Sequence, residues 1–84
     1  MITVYAIVSE ANGDIYVGIA QDADKRLEEH NKGKSRYTKG LRPWRTIYRE
    51  LQPNWEQARK RKIFEIRSWK RISEITGLVV QWIE

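Results

Sequence analysis

The chain is 84 residues long, carries a formal net charge of +5 and contains no cysteine. A chain of this length is expected to form one small domain, over residues 1–84, that buries about 60–65% of the surface its unfolded form exposes. The lack of cysteine excludes disulfides, thiolate nucleophiles and Cys-based zinc sites, and it fits a reducing compartment. The apolar runs are far shorter than the roughly 20 residues that cross a bilayer, and the N-terminus lacks a signal-peptide pattern. We therefore expect a cytoplasmic protein with no membrane partner.

The first predicted element is a β-hairpin. Two alternating apolar runs flank Asn12-Gly13, a dipeptide that favours a two-residue type I′ turn because both central residues then need positive φ. This turn would pair Ala11 with Asp14. Two antiparallel strands are predicted on either side of it.

The hairpin brings two tyrosines to one face of the sheet. Side chains alternate between the faces of a strand, so Tyr5, Tyr16 and Gly18 would share one face. The other face would be aliphatic, with Val4, Ala6, Val8, Ile15, Val17 and Ile19. The register predicts two phenols that converge on a surface open to solvent.

A helix is predicted directly after the hairpin, from Ala23 to Lys32. Asp22 is a suitable N-cap and Gly33 a suitable residue just beyond the C-terminal end. Arg26 and His30 are four residues apart, which places them on one side of the helix. The helix should therefore bring a cation and an imidazole to the tyrosines.

The remaining elements complete a small α/β (α+β) domain. A polar loop is followed by a third strand from Trp44 to Leu51. Asn54 is predicted to cap a helix that runs to about Lys70, and residues 72–76 fit either an extension of this helix or a separate turn. Residues 78–83 fit either an edge strand or a closing helical turn. The predicted fold is a small three-stranded, mostly antiparallel sheet flanked by helices.

Positive charge is concentrated in two clusters. The first has no acid among its members, which are Lys32, Lys34, Arg36, Lys39, Arg42, Arg45 and Arg49. The second has only Glu65 to offset Arg59, Lys60, Arg61, Lys62, Arg67, Lys70 and Arg71. Clusters of this kind favour contact with backbone phosphates through counterion release. A solvated basic face, or docking on an acidic partner, is the alternative.

The order of these residues resembles one known family. Thr3-Val4-Tyr5, Tyr16-Val17-Gly18 and Arg26, eight residues after the glycine, are similar to the two tripeptides and the helix arginine of the GIY-YIG nucleases. The resemblance covers residues 3 to 70 and is strongest for small bacterial members related to the N-terminal domain of the excision-repair nuclease. It implies a GIY-YIG-like fold and a metal-dependent endonuclease that hydrolyses DNA phosphodiester bonds, with a role in DNA repair or processing.

The resemblance also implies roles for individual residues. Tyr16 would activate water, which requires a phenol pKa well below its usual value of about 10. Tyr5 would orient Tyr16 or the phosphate, Arg26 would hold the non-bridging oxygens, and His30 would relay a proton. DNA is the expected partner, with RNA left open. The residues expected to contact it are Gly18, Lys34, Arg36, Tyr37, Lys39 and Arg42.

The metal site is where the chain departs from the family pattern. The resemblance implies one Mg²⁺ or Mn²⁺ ion, held by a glutamate that follows a segment similar to residues 58–61, but this chain has Lys62 at that position. In one interpretation, an inserted residue shifts the metal-binding role to Glu65. In the other, Lys62 places a positive charge where the ion would sit and leaves a catalytically impaired nucleic-acid-binding module. The Glu65 interpretation is slightly favoured.

Overall fold

A computed structural model describes residues 1–34, 36, 38–76 and 80–82, with side chains up to residue 71. The main strands and helices follow one another in the order that the sequence predicts. In chain order they are β1 (Ile2–Ser9), β2 (Ile15–Ala20), α1 (Ala23–Asn31), a short 3₁₀ helix (Lys39–Leu41), β3 (Trp44–Gln52), α2 (Trp55–Thr76) and β4 (Val80–Trp82).

The sheet has β1 at its centre. β1 pairs antiparallel with both β2 and β3, and the short β4 adds parallel to β2, which gives the strand order β3-β1-β2-β4. The predicted α+β fold with a three-stranded antiparallel sheet is confirmed. Of the two alternatives for the C-terminal segment, the strand is observed over Val80–Trp82, whereas residues 77–79 and 83–84 lie outside the described part of the chain.

The hairpin register differs from the predicted one by two residues. Tyr5 pairs with Gly18, and a longer loop over residues 10–13 joins the strands, so the predicted two-residue turn is wrong. The backbone N–H of Ser9 donates to the carbonyl of Asp14 at 2.8 Å and closes this loop. A shift of two residues keeps every side chain on its predicted face, because the side-chain period of a strand is two.

Local hydrogen bonds explain the longer loop. The Ser9 hydroxyl accepts from the backbone N–H groups of Ala11 and Asn12 at 3.1 and 3.2 Å. Gly13 has a φ of 82°, but Asn12 keeps a negative φ, which a type I′ turn does not allow. Side-chain bonds to nearby backbone groups thus override the Asn-Gly preference.

Each face of the sheet carries its own core. The face that we call the tyrosine face holds Tyr5, Ile7, Tyr16 and Trp44, packed against Ala23 and Leu27 of α1. The face that we call the aliphatic face packs against α2, and its cluster contains Ile2, Val4, Ala6, Ile15, Val17 and Ala58, with Ile66 and Trp69 beside it. The two helices therefore cover opposite faces of the sheet, as the alternation of side chains predicts.

Both helices begin at the predicted caps. The carboxylate of Asp22 accepts from the N–H of Lys25 at 3.1 Å, and the amide oxygen of Asn54 accepts from the N–H of Gln57 at 2.9 Å. α1 ends one residue before the predicted Lys32, with Gly33 in the left-handed region at a φ of 79°. Neither α1 nor any other helix in the described ranges is long and apolar enough to cross a membrane.

Candidate active site

Three aromatic rings meet on the tyrosine face beneath α1. The ring centroids of Tyr5 and Tyr16 are 6.2 Å apart, and that of His30 lies 4.9 Å from Tyr16. The Tyr5 hydroxyl and His30 Nε2 are 3.1 Å apart and share a hydrogen bond. The three side chains are 2%, 4% and 0% exposed. The predicted convergence is therefore observed, but the predicted open surface is not, because α1 and Trp44 pack over the rings.

Gly18 makes room for this cluster. A Cβ atom built on Gly18 would lie 2.4 Å from the Tyr5 hydroxyl oxygen and 2.9 Å from the Tyr16 ring, both impossibly short. The residue is buried, and the Tyr5 phenol fills the space above it. Gly18 thus permits close packing of the tyrosines, which accounts for its place in the tripeptide. Its contact with nucleic acid stays a prediction.

Arg26 lies at the partly exposed edge of the cluster. Its charge acts on both phenols, and its Nη1 donates to Glu29 Oε2 at 2.8 Å. Burial lowers the pKa of Arg26, but the bond to Glu29 and the phenols of Tyr5 and Tyr16 raise it overall. The guanidinium therefore remains charged and offers its remaining N–H groups at the entrance to the buried phenols.

The second nitrogen of His30 connects the cluster to the loop over residues 33–43, which we call the basic loop. His30 Nδ1 and the Thr38 hydroxyl are 2.8 Å apart, and Thr38 is completely buried. The indole N–H of Trp44 donates to the Thr38 carbonyl at 2.9 Å. Thr38 thus holds the imidazole from the side opposite Tyr5. The sequence does not reveal this role: Thr38 belongs to the stretch that resembles the family, but nothing in that pattern names His30 as its partner.

Asn31 is a second residue whose structural role the sequence does not reveal. Its side-chain oxygen accepts from the backbone N–H of Trp44 at 2.6 Å, and its amide N–H donates to the Trp44 carbonyl at 3.1 Å. The sequence indicates only that it lies near the end of α1. The paired bonds fasten the start of β3 to α1, which keeps Trp44 against Tyr16.

Burial governs the protonation states in this cluster. It raises the pKa of Tyr16, and the opposing effects of Arg26 and Tyr5 do not cancel it. Burial likewise raises the pKa of Tyr5. Burial, and then the charge of Arg26, lowers the pKa of His30 to about 4. The lowered Tyr16 pKa expected from the sequence is therefore wrong for the free protein, whose phenols are protonated and whose imidazole is neutral near pH 7.

Glu65 lies on the other side of the sheet. Arg61 binds both Glu65 Oε1, at 3.1 Å, and Glu50 Oε1, at 2.8 Å. Glu50 pairs with Val4 across the sheet, so this network belongs to the aliphatic face. The expectation that Glu65 turns into the cleft of Tyr16 is not met, because its carboxylate is buried against Arg61 instead.

Lys62 is also buried on α2. It is 8% exposed and lies on the stripe of Ala58 and Ile66 that faces the sheet. The lysine at the position expected for the metal glutamate is thus part of the packed face of the helix.

The described residues do not fit a divalent-ion site at the tyrosines. Among the residues the structure describes, no group of three or more His, Cys, Asp or Glu side chains could hold a metal. Glu29 borders the cluster, but its carboxylate is bound to Arg26, and the charges of Lys34 and Lys25 also act on it. A carboxylate surrounded by three cations is a poor ligand for a further cation.

The basic side chains of the basic loop are exposed. Lys34, Arg36, Lys39 and Arg42 are all open to solvent. Arg42 Nε donates to the Lys39 carbonyl at 2.8 Å, and its guanidinium lies over Gly33. Tyr37, the other residue predicted to touch nucleic acid in this loop, lies outside the described residues. The loop therefore presents a positive surface that Thr38 joins to the tyrosine cluster.

Comparisons with known proteins identify the family. The sequence-family model of the GIY-YIG catalytic domain matches residues 1–73 of this chain. A UPF0213 protein of Staphylococcus aureus strain Mu3 / ATCC 700698 is 38% identical over 66 residues, which are 77% of this chain and 79% of the relative. UPF0213 protein SAV0488 of strain Mu50 gives the same identity and coverage. No solved structure matches the chain. Motif order, fold and family match agree, and this chain belongs to the GIY-YIG family, which supports a nuclease-type function.

Proposed function

We propose that this protein is an endonuclease that hydrolyses phosphodiester bonds in DNA, in repair or processing. The observation that carries the proposal is the convergence of Tyr5, Tyr16, Arg26 and His30 at the edge of α1. Phosphodiester hydrolysis needs a group that binds the non-bridging oxygens and a path for the proton of the attacking water. This cluster contains a candidate for each.

Arg26 is the candidate for binding phosphate. It is the partly exposed member of the cluster, and its planar guanidinium matches the geometry of two phosphate oxygens. Glu29 is bound to Nη1, so the remaining N–H groups are available to a phosphate. A phosphate held there would lie beside the phenols, at the edge that solvent reaches.

The two phenols and the imidazole form a path for the proton. The Tyr16 and Tyr5 rings lie beside each other, with centroids 6.2 Å apart, and the Tyr5 hydroxyl shares a hydrogen bond with His30. As the water oxygen attacks phosphorus, its proton would pass through Tyr16 and Tyr5 to the neutral imidazole, and the 3′ oxygen would leave and take a proton from solvent. A neutral His30 is needed for this role, because an imidazolium has no lone pair to accept the proton.

A requirement for one Mg²⁺ or Mn²⁺ ion stays part of the proposal, although we assign it no ligand. Nucleases of this family generally use divalent metals. The described residues do not fit a carboxylate site at the tyrosines, so chelation of the ion is the test of this requirement.

The basic loop is the proposed contact to the nucleic-acid backbone. If Lys39 and Arg42 contact phosphates, replacing both with alanine should weaken binding to unrelated sequences equally and lower the slope of log affinity against log salt by about two. An unchanged slope would assign these residues to a solvated surface. The same titration with RNA of matched length tests whether DNA is preferred.

The decisive experiment is a cleavage assay. Supercoiled and branched DNA are incubated with the pure protein in Mn²⁺ or Mg²⁺, with chelator and with the Tyr16→Phe variant as controls. We expect nicked or linear products that disappear with chelator and fall by at least about 100-fold with Tyr16→Phe. Thermal unfolding of the variant confirms that its fold is intact. Equal cleavage by both proteins would reject the proposed site.

A nucleic-acid-binding module without cleavage is the second candidate. The burial of Glu65 against Arg61 and of Lys62 in the packed face of α2 favours it, because neither supplies a carboxylate to the tyrosines. This candidate predicts salt-dependent DNA binding with no product in either metal ion. The cleavage assay therefore separates the two functions.

A further inference from the structure

The outward surface of α2 combines exposed apolar and basic side chains. Phe64 is 55% exposed and Ile63 is 46% exposed, although large apolar residues on a helix are usually turned toward the core. Phe64, Arg67, Ser68 and Arg71 line one shallow depression. Their spacing of three, four and seven residues places them on a single stripe of the helix.

Two arginines on this stripe lack an acidic partner among the described side chains. Arg67 and Arg71 form no ion pair with any of the side chains described up to residue 71. Arg61 lies over the Phe64 ring at 4.5 Å from its centroid, but its own charge is bound by Glu50 and Glu65. The ring is thus supported by a guanidinium on one side and flanked by two further arginines.

This stripe lies across the sheet from the tyrosine cluster. α2 packs on the aliphatic face through Ala58, Ile66 and Trp69, whereas the tyrosines lie on the face covered by α1. A strand held at Phe64 would therefore make a contact separate from that of the phosphate proposed at Arg26.

We propose that Phe64, Arg67 and Arg71 form a second contact site, for single-stranded nucleic acid. An exposed aromatic ring beside arginines is the arrangement on which an unpaired base stacks while its phosphates meet the guanidinium groups. Paired bases in a duplex keep their faces stacked on each other, so the ring selects a single strand. The site concerns binding alone and stands whether or not the protein cleaves DNA.

The test compares single strands with duplexes in chelator, so that no cleavage occurs. Affinities of wild type and Phe64→Leu are measured for a fluorescent single-stranded oligonucleotide and for its duplex. Leucine keeps an apolar side chain at an exposed position, so the fold should persist. We expect about a five-fold or greater loss for the single strand, from the lower range of base-stacking energies, and less than about two-fold for the duplex.

Charge variants complete the experiment. Replacing Arg67 and Arg71 with alanine should lower the salt slope for the single strand by about 1.4, since each neutralised phosphate contributes about 0.7. Lys60→Ala is the matched control, because this lysine on the same helix already pairs with Glu56 and should leave the slope unchanged.

Two results would overturn the proposal. One is a Phe64→Leu protein that binds the single strand as tightly as wild type, or whose affinities for the single strand and the duplex fall by the same factor. The other is a Lys60→Ala protein whose salt slope falls by as much per removed charge as that of the Arg67 and Arg71 variant. The surface would then attract nucleic acid only through its net positive charge.

Discussion

The two faces of the sheet bury their polar groups in opposite ways. On the tyrosine face, the Tyr5 phenol and the His30 imidazole share a hydrogen bond beside the Tyr16 ring, with a cation, Arg26, at the solvent-facing edge. On the aliphatic face, Arg61 joins two carboxylates into a closed network, and most neighbours are apolar. The first arrangement leaves hydrogen-bonding capacity for a ligand, whereas the second satisfies its charges internally.

This difference shows that burial alone does not identify a reactive residue. Glu65 and Tyr16 are similarly inaccessible, at 7% and 4% exposure. Glu65 is neutralised by a neighbouring cation, while Tyr16 lies beside an uncharged imidazole and a guanidinium that reaches solvent. The proposed chemistry therefore lies on the tyrosine face, whereas the buried acid of α2 is bound by Arg61.

Loss of Arg26 should have the largest effect. Arg26→Ala removes the group proposed to stabilise phosphate charge and should reduce cleavage by about 10²–10³-fold. Single-turnover rates at saturating DNA measure this, with Arg45→Ala as a control because Arg45 is an exposed cation paired with Glu10. If the two variants lose the same activity, the charge of Arg26 beside the tyrosines has no special role in cleavage.

Acid should destabilise the tyrosine face through His30. Its pKa is about 4 in the folded protein and 6.5 in the unfolded chain. At pH values between these two pKa values, His30 is protonated in the unfolded chain but not in the folded protein. The contribution of neutral His30 to the free energy of unfolding is therefore complete above pH 6.5 and is lost as the pH falls toward 4. The loss should reach about 2 kcal/mol at pH 5 and about 3 kcal/mol at pH 4.

Denaturant unfolding from pH 7 to 5 measures this loss. In His30→Gln, the free energy of unfolding should depend less steeply on pH. His30 is the single histidine of the chain, so its imidazole signals in NMR can be assigned without ambiguity. A titration midpoint near 6.5 would contradict the burial of the imidazole.

Two glycines provide a matched pair for packing. Gly18→Ala should cost about 1–3 kcal/mol of unfolding free energy, because the new Cβ would overlap the Tyr5 hydroxyl. Gly40→Ala should change stability by less than about 0.5 kcal/mol, since nothing lies within 4 Å of its Cβ position. Denaturant melts of both variants measure the difference. Equal stabilities would mean that the tyrosine cluster packs more loosely than described.

The helix caps should give the smallest effects and separate stability from activity. Asp22→Ala and Asn54→Ala each remove one capping bond and should each cost about 1 kcal/mol. Only Asp22→Ala loosens the helix that carries Arg26 and His30. Only this variant should therefore cleave more slowly even where it is fully folded. Parallel melts and rate measurements test this, and a matching loss in Asn54→Ala would place α2 in the chemistry.

Much of this arrangement is predictable because it depends on periodicity. The alternation along β1 and β2 places Tyr5 and Tyr16 on one face even when the register is wrong by two residues. The caps at Asp22 and Asn54 follow from local side-chain chemistry. Family resemblance adds the roles proposed for Arg26 and His30, which periodicity alone does not supply.

The rest depends on contacts between distant residues. No local pattern reports that Thr38 binds His30 or that Arg61 turns Glu65 toward Glu50. The predicted direction of the Tyr16 pKa shift is wrong for the same reason, because its sign depends on how fully Trp44 and α1 cover the ring. The helical wheel locates Glu65 near the stripe of α2 but not the face of the sheet that α2 covers.

The most direct test compares the two faces in one assay. Cleavage of the same DNA is measured for wild type, Tyr16→Phe and Glu65→Gln, at a temperature where melts show all three folded. We predict that Glu65→Gln cleaves within a few-fold of wild type and that Tyr16→Phe loses at least about 100-fold in cleavage rate with unchanged DNA affinity. Loss of activity in Glu65→Gln, with cleavage retained in Tyr16→Phe, would contradict it.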